Sequence, residues 1–308
     1  MQSIPLTAAR GDRDHAPGVP QCRAVFRDGN RFTLGQMEIR LLQGSDVESA
    51  MRLSEAAGWN QTRGDWERLL ELAPPGCFGI DVDGTLAATT TAVCYGRRLA
   101  WIGMVLTLPE FRGRGLARRL MRHALDFLDR TAVEWVKLDA TDMGRPLYAK
   151  LGFKDDGRIE RWHRPAGPAP PYQGERTRAN NFSLDVEGVG TDRSGLLAAL
   201  EPSGSLRLDG DGFAMARPGR LAAYFGPCEA RHREAIRPAV DWFLDRHAKT
   251  DAFWDLFPAN EAAVQEAMAA GFSSKRVLTR MVKRLRSDAV PLVENRELIY
   301  AAAGFEFG

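Results

Sequence analysis

Cysteine is scarce in this chain. Its four cysteines, Cys22, Cys77, Cys94 and Cys228, lie far apart and form no CxxC pair. That spacing argues against a zinc site or a disulfide framework and for buried thiols in a reducing, cytoplasmic setting. No metal is expected. Long apolar runs are also missing: none approaches the roughly 20 residues of a membrane span. The first 36 residues carry Arg10, Asp12, Arg13, Asp14 and His15 where a signal peptide would be apolar. Charge of one sign is lacking too. Lys and Arg number 42 against 40 Asp and Glu, so no nucleic-acid or membrane partner is expected.

What is there reads as two α/β (α+β) domains, each a mixed sheet flanked by helices. Residues 1–36 read as a flexible tail, with Met37 as an alternative start. Residues 37–165 form the first domain. A Pro-rich linker, opening on Ala166-Gly167-Pro168-Ala169-Pro170-Pro171, covers 166–180. Residues 181–308 form the second domain with a C-terminal tail. Asp83-Gly84 marks a hairpin between strands over 77–82 and 85–94. Leu116, Leu120, Ala124 and Leu128 recur every four residues and define the buried face of a helix. His123 falls on its solvated side.

The halves resemble each other. Ala124-Leu125-Asp126-Phe127-Leu128-Asp129-Arg130 is similar to Val240-Asp241-Trp242-Phe243-Leu244-Asp245-Arg246, and Gly152-Phe153 to Gly271-Phe272, in the same order. The order and spacing suggest a duplication; the alternative is coincidence, since Gly-Phe after a helix is common. In the second copy Ala267 stands where the first has Tyr148, no Gly-x-Gly remains, and Pro238 is expected to kink its main helix.

The strongest local signal is Arg112-Gly113-Arg114-Gly115-Leu116-Ala117, placed between a strand and an amphipathic helix. A helix start offers unpaired N–H groups and partial positive charge, and glycines allow close approach of a ligand. Together they suit a pyrophosphate. No Gly-Lys-Ser/Thr follows, which excludes a Walker A loop, and Arg118 occupies the third-glycine position of a dinucleotide fingerprint. A tight turn with solvated arginines is the alternative.

With Leu147-Tyr148-Ala149-Lys150-Leu151-Gly152-Phe153 downstream, the first half resembles the GCN5-related N-acetyltransferase (GNAT) superfamily. Arg112, Gly115 and Ala117 fit its Gln/Arg-x-x-Gly-x-Gly/Ala signature. The two-lobed layout is similar to a bacterial subgroup with a diverged second acetyltransferase-like domain. The resemblance implies acetyl-CoA as co-substrate and a small-molecule primary amine as acceptor. Its pantetheine arm would lie along Val105, Leu106 and Thr107, and its pyrophosphate on the N–H groups of Arg112, Gly113, Arg114, Gly115, Leu116 and Ala117. Tyr148 would be the general acid; a core aromatic beside Phe153 is the other reading. The strand before the turn has no acid, so Asp139, then Asp142, are the candidates for general base. Trp59 and Asn60, with Gln61, would frame the acceptor. The remaining alternatives are a non-catalytic CoA-binding module and a protein N-acetyltransferase, and a homodimer is left open.

Overall fold

The structure, a computed structural model, describes residues 38–308; the expectations for residues 1–36 and for Met37 lie outside that range. The first half runs β1 (Glu38–Leu41), α1 (Val47–Ala56), α2 (Arg63–Leu72), β2 (Cys77–Val82), β3 (Thr85–Tyr95), β4 (Leu99–Thr107), α3 (Leu116–Arg130), β5 (Trp135–Ala140), α4 (Arg145–Lys150) and β6 (Lys154–Arg164). The second runs α5 (Ser183–Val189), α6 (Ser194–Leu200), β7 (Ser205–Arg207), β8 (Phe213–Arg217), β9 (Ala223–Glu229), α7 (Ile236–His247), β10 (Ala252–Leu256), α8 (Glu261–Ala269), β11 (Ser273–Arg284) and β12 (Ile299–Ala301).

Local chemistry explains most of these boundaries. Thr62 caps α2 by accepting from the Asp65 N–H while the Asp65 carboxylate accepts from the Thr62 N–H, a reciprocal arrangement that satisfies two otherwise orphan donors. Asp83 and Gly84 both take positive φ, 49° and 76°, as a two-residue hairpin turn requires. Helix α3 buries Leu116, Leu120, Ala124 and Leu128 as its period demands. Two expectations change. His123 is half-buried and meets the Phe78 ring edge-on at 4.6 Å; burial there pushes its pKa down. Pro238 is the third residue of α7. It sits in the first turn, where no intrahelical N–H bond is lost, so the helix continues unbroken.

The strands form one twelve-stranded sheet in the order β1-β2-β3-β4-β5-β11-β6-β10-β9-β8-β7, with β12 added on β9. The halves exchange their last strands. β6, from the first half, pairs with β10 of the second, and β11, from the second, pairs with β5 of the first. The exchanged strands lie antiparallel to each other.

A buried ion pair clasps each exchange. Asp139 of β5 faces Arg280 of β11, and Asp255 of β10 faces Arg161 of β6, as direct cross-strand partners. Arg280 bonds both Asp139 oxygens at 2.9 Å, and Arg161 bonds both Asp255 oxygens at 2.7 and 2.6 Å. Each arginine lies eight residues after the phenylalanine of its Gly-Phe pair. Those pairs match in detail. Gly152 and Gly271 take φ of 87° and 83°. Phe153 N–H bonds the Tyr148 carbonyl and Phe272 N–H bonds that of Ala267. Tyr148 and Ala267 therefore occupy equivalent places.

Candidate active site

In each half, two parallel strands begin together and then part. β4 pairs with β5 only from Leu99 to Trp101, so the edge of β4 facing β5 runs unpaired from Ile102 to Thr107. On its other edge β4 stays bonded to β3, with a bulge at Met104 and Val105. Met104 takes a φ of 48°, and its carbonyl accepts from the Thr89 hydroxyl at 2.9 Å. A non-glycine residue held in this region stores backbone strain of a kind that gathers at functional sites. In the second half β10 likewise pairs with β9 only from Ala252 to Trp254. There the opening is occupied by the chain itself: β12 pairs with β9, and the Ala302 N–H bonds the Asp255 carbonyl of β10 at 2.9 Å.

The open slot of the first half ends on the glycine turn. Gly113 and Gly115 take φ of 76° and 78°, and a Cβ on either would meet nothing within 4 Å. Their requirement is conformational, and the space above them is clear for a ligand. Gly115 is the N-cap of α3 with no side-chain cap, so the first N–H groups of the helix point outward unsatisfied. Arg112 and Arg114 are exposed beside them.

Slot and turn open into one cleft of about 880 Å³. Val105, Leu106, Thr107, Arg112, Gly113, Gly115, Leu116 and Ala117 all line it. Arg114 does not, and stacks on Phe111 at 5.1 Å instead. Tyr148 reaches the cleft from α4. It packs edge-on to Phe153, burial raises its phenol pKa, and its hydroxyl has no hydrogen-bond partner among the described residues.

Of the other expected residues, Asp139 and Asn60 are engaged elsewhere. Asp139 lines the cleft, but its side chain is 0% exposed and both oxygens accept from Arg280. Asp142 also lines the cleft and is exposed. Asn60 does not line it. Its amide donates to the Ala222 carbonyl at 3.0 Å and accepts from the Leu221 and Ala222 N–H groups at 2.9 and 3.0 Å, tying α2's approach to the second half. Trp59 and Gln61 do line the cleft, and Gln61 donates to Glu306 at 2.8 Å.

The second half supplies walls that the sequence reading missed, Arg276, Val277, Leu278 and Phe305, and Arg161 of β6 lies beside them. Phe305 is placed by residues 303–308, which cross back over β4. The Trp101 indole donates to the Phe305 carbonyl, the Tyr95 hydroxyl to that of Phe307, and Arg193 to that of Gly308. Gly103 makes room for them, since a Cβ there would lie 2.9 Å from the Glu306 carbonyl oxygen. The Phe272-to-Arg280 spacing, equal to that from Phe153 to Arg161, marks the two strands as equivalent but does not say which half each joins. Nothing in the sequence marks Arg276.

Residues 47–153 match the family model described as Acetyltransferase (GNAT) family. The chain is 30% identical over 174 residues to an uncharacterized N-acetyltransferase, YitH, of Bacillus subtilis; the match spans 53% of this chain and 60% of the relative. Among solved structures, a putative acetyltransferase of Pyrococcus horikoshii superposes with a TM-score of 0.78 at 21% identity, over 92% of this chain and 99% of that one. A tandem GNAT protein from the clavulanic acid biosynthesis pathway superposes with a TM-score of 0.55 at 14% identity, over 82% and 99%. At such identities these structures speak to the fold. The sequence match, the parted strands and the glycine turn agree: residues 47–153 are a GNAT acetyltransferase domain.

Proposed function

We propose that the protein is an N-acetyltransferase that moves the acetyl group of acetyl-CoA to a primary amine of a small molecule by direct attack in a ternary complex. The observation that carries this reading is the unpaired edge of β4 from Ile102 to Thr107, running into the left-handed glycine turn at the start of α3. An extended amide-bearing chain pairs with such an edge as an added strand would, and a pyrophosphate suits the turn. The residues present therefore fit acetyl-CoA, which supplies the activated acyl group. The second half lacks such a slot, because residues 299–302 occupy it, so one cofactor per chain is expected.

For the chemistry, β4 backbone N–H groups near Met104 and Val105 would hold the thioester carbonyl and stabilise charge developing on its oxygen. A phenol ionises near ~10 and a thiol near ~8.5 in water. Burial moves the Tyr148 phenol further up, so it stays protonated at neutral pH and can donate a hydrogen bond or a proton to the thiolate as charge develops on it. The amine must be neutral to attack. Asp139 is bound on both oxygens by Arg280, which leaves solvent in the open cleft, or Asp142 at its mouth, to accept the proton.

Calorimetric titration of the chain with acetyl-CoA and with CoA tests the reading, beside Gly115→Glu and Tyr148→Phe. Binding near one equivalent is expected in the parent, weakened by the glutamate. Tyr148→Phe should bind CoA as the parent does but lose turnover by ~10²–10⁴-fold. No binding by a folded parent would remove the proposal. Full turnover in Tyr148→Phe would remove Tyr148 from it.

A further inference from the structure

Arg276 is the unexplained charge in the cleft. It lines the cavity from β11 and is partly buried, yet its guanidinium makes no hydrogen bond or ion pair with any described residue. Its neighbour in register is another arginine: Arg276 faces Arg161 across the β11–β6 ladder. Like charges directly opposite on a sheet repel. Arg161 is neutralised by Asp255, which also accepts from the Tyr224 hydroxyl at 3.0 Å, so that carboxylate is fully engaged. Lys275, the preceding residue, adds a further positive charge and lies over the Phe253 ring. Desolvation, then Arg161, pull the Arg276 pKa down, and Asp255 offsets them only in part.

The backbone is built to place it there. A bulge at Lys275 sets two residues of β11 against one of β6, between the pairs Ser274–Trp162 and Arg276–Arg161. Bulges re-aim side chains and recur beside active sites. Nor does the duplicated framework need this residue. The clasp arginines Arg161 and Arg280 have each other as counterparts, whereas the position equivalent to Arg276, four residues after Phe153, is Gly157.

We infer that Arg276 is the specificity determinant of the acceptor side of the cleft, and that the amine to be acetylated carries an anionic oxygen group, carboxylate or phosphate, which this guanidinium binds. The inference rests on the acetyltransferase reading and narrows its substrate class. A planar guanidinium matches both oxyanions with two parallel hydrogen bonds. Trp59, Leu278 and Phe305 supply apolar walls for the rest of the acceptor.

The test is binding to the full chain saturated with CoA, where no turnover is needed. The probes are the twenty amino acids and their carboxamides, together with O-phosphoethanolamine and ethanolamine. Hydrogen bonds to charged groups contribute ~1.5–3 kcal/mol, so an anionic amine should bind ~10–150-fold more tightly than its neutral partner. Whether that amine is an amino acid or the phosphoester tells carboxylate from phosphate. In Arg276→Gln the preference should vanish, and in Arg276→Lys part of it should return, with CoA affinity unchanged in both. Neutral partners binding as well as anionic ones, a preference that survives Arg276→Gln, or no binding by any anionic probe would each overturn the inference. Failure to saturate with CoA would instead strike the acetyltransferase reading beneath it.

Discussion

Asp139 stands in the cleft as the sequence suggests a base should, yet its surroundings describe a strut, and Asp139→Asn separates the two. The carboxylate is 0% exposed, Arg280 is 6% exposed, and two 2.9 Å bonds join them across the β5–β11 boundary. Arg280 lies over the Trp101 and Phe257 rings at 4.5 and 4.7 Å, so it is almost wholly shielded from water. An asparagine keeps one acceptor but turns an amide NH₂ toward the guanidinium and leaves the cation uncompensated. Breaking a buried pair on one side costs ~3–5 kcal/mol, a large share of the ~5–15 kcal/mol that holds a typical protein folded. With an m-value of about 3 kcal/mol/M, the urea midpoint should fall by roughly 1 M or more. Replacing both partners, Asp139→Leu with Arg280→Met, should recover much of that loss, because no charge is left stranded. The assay is urea unfolding of the parent, each single variant and the double, beside kcat against pH for the folded Asp139→Asn protein. A stability change below about 1 kcal/mol, together with a ~10²–10⁴-fold fall in kcat of the size general bases contribute, would refute the strut and restore the base. The duplication supports the strut: Asp255 makes the same pair with Arg161 in the half whose slot is filled.

Other consequences are open to measurement. A chain cut after residue 165 loses β11 from beside β5 and both neighbours of β6; it should form no folded monomer by circular dichroism and size exclusion, and a cooperative monomer would disprove the dependence. Gly103→Ala puts a Cβ 2.9 Å from the Glu306 carbonyl and should cost ~1–3 kcal/mol in thermal or urea unfolding, by forcing residues 303–308 off β4. Glu229 is fully buried beside Asp185, with Arg193 3.8 Å from one of its oxygens. Burial, then Asp185, raises its pKa well above the ordinary 4.5. The unfolded chain therefore releases this proton first, and the stability Glu229 lends is complete below about pH 4.5 and declines as pH rises above it. Glu229→Gln should remove that decline, so its stability relative to the parent should grow with pH; a constant difference across the range would rule this out.

Much of the local structure was legible in residue order. The Asp83-Gly84 hairpin, the fourfold leucine-alanine stripe of α3 and the glycine turn depend on backbone conformation and apolar spacing within a few residues, and the sequence carries both. Val105, Leu106, Thr107 and Tyr148 were placed through the family resemblance, and the structure brings them to one cleft. Asn60 went astray because an amide in a loop reads alike whether it meets a ligand or a neighbouring backbone, and Ala222 lies 162 residues away.

What only the tertiary structure decided is which half each last strand joins. β6 and β11 both follow a helix and a Gly-Phe turn and carry an arginine at the same distance, so either would pair acceptably with β5 or with β10. The choice lies in long-range contacts that no local pattern encodes: Asp139 finds Arg280 across 141 residues, and Asp255 finds Arg161 across 94. The same exchange carries Arg276, with Val277 and Leu278, into a cleft built mainly by the first half, and leaves the Arg276 guanidinium there without a partner among the described residues. Local residue order determined the elements and the cofactor turn because those interactions are short in sequence. The strand exchange and the acceptor wall required the folded sheet, because their partners meet only once it has closed.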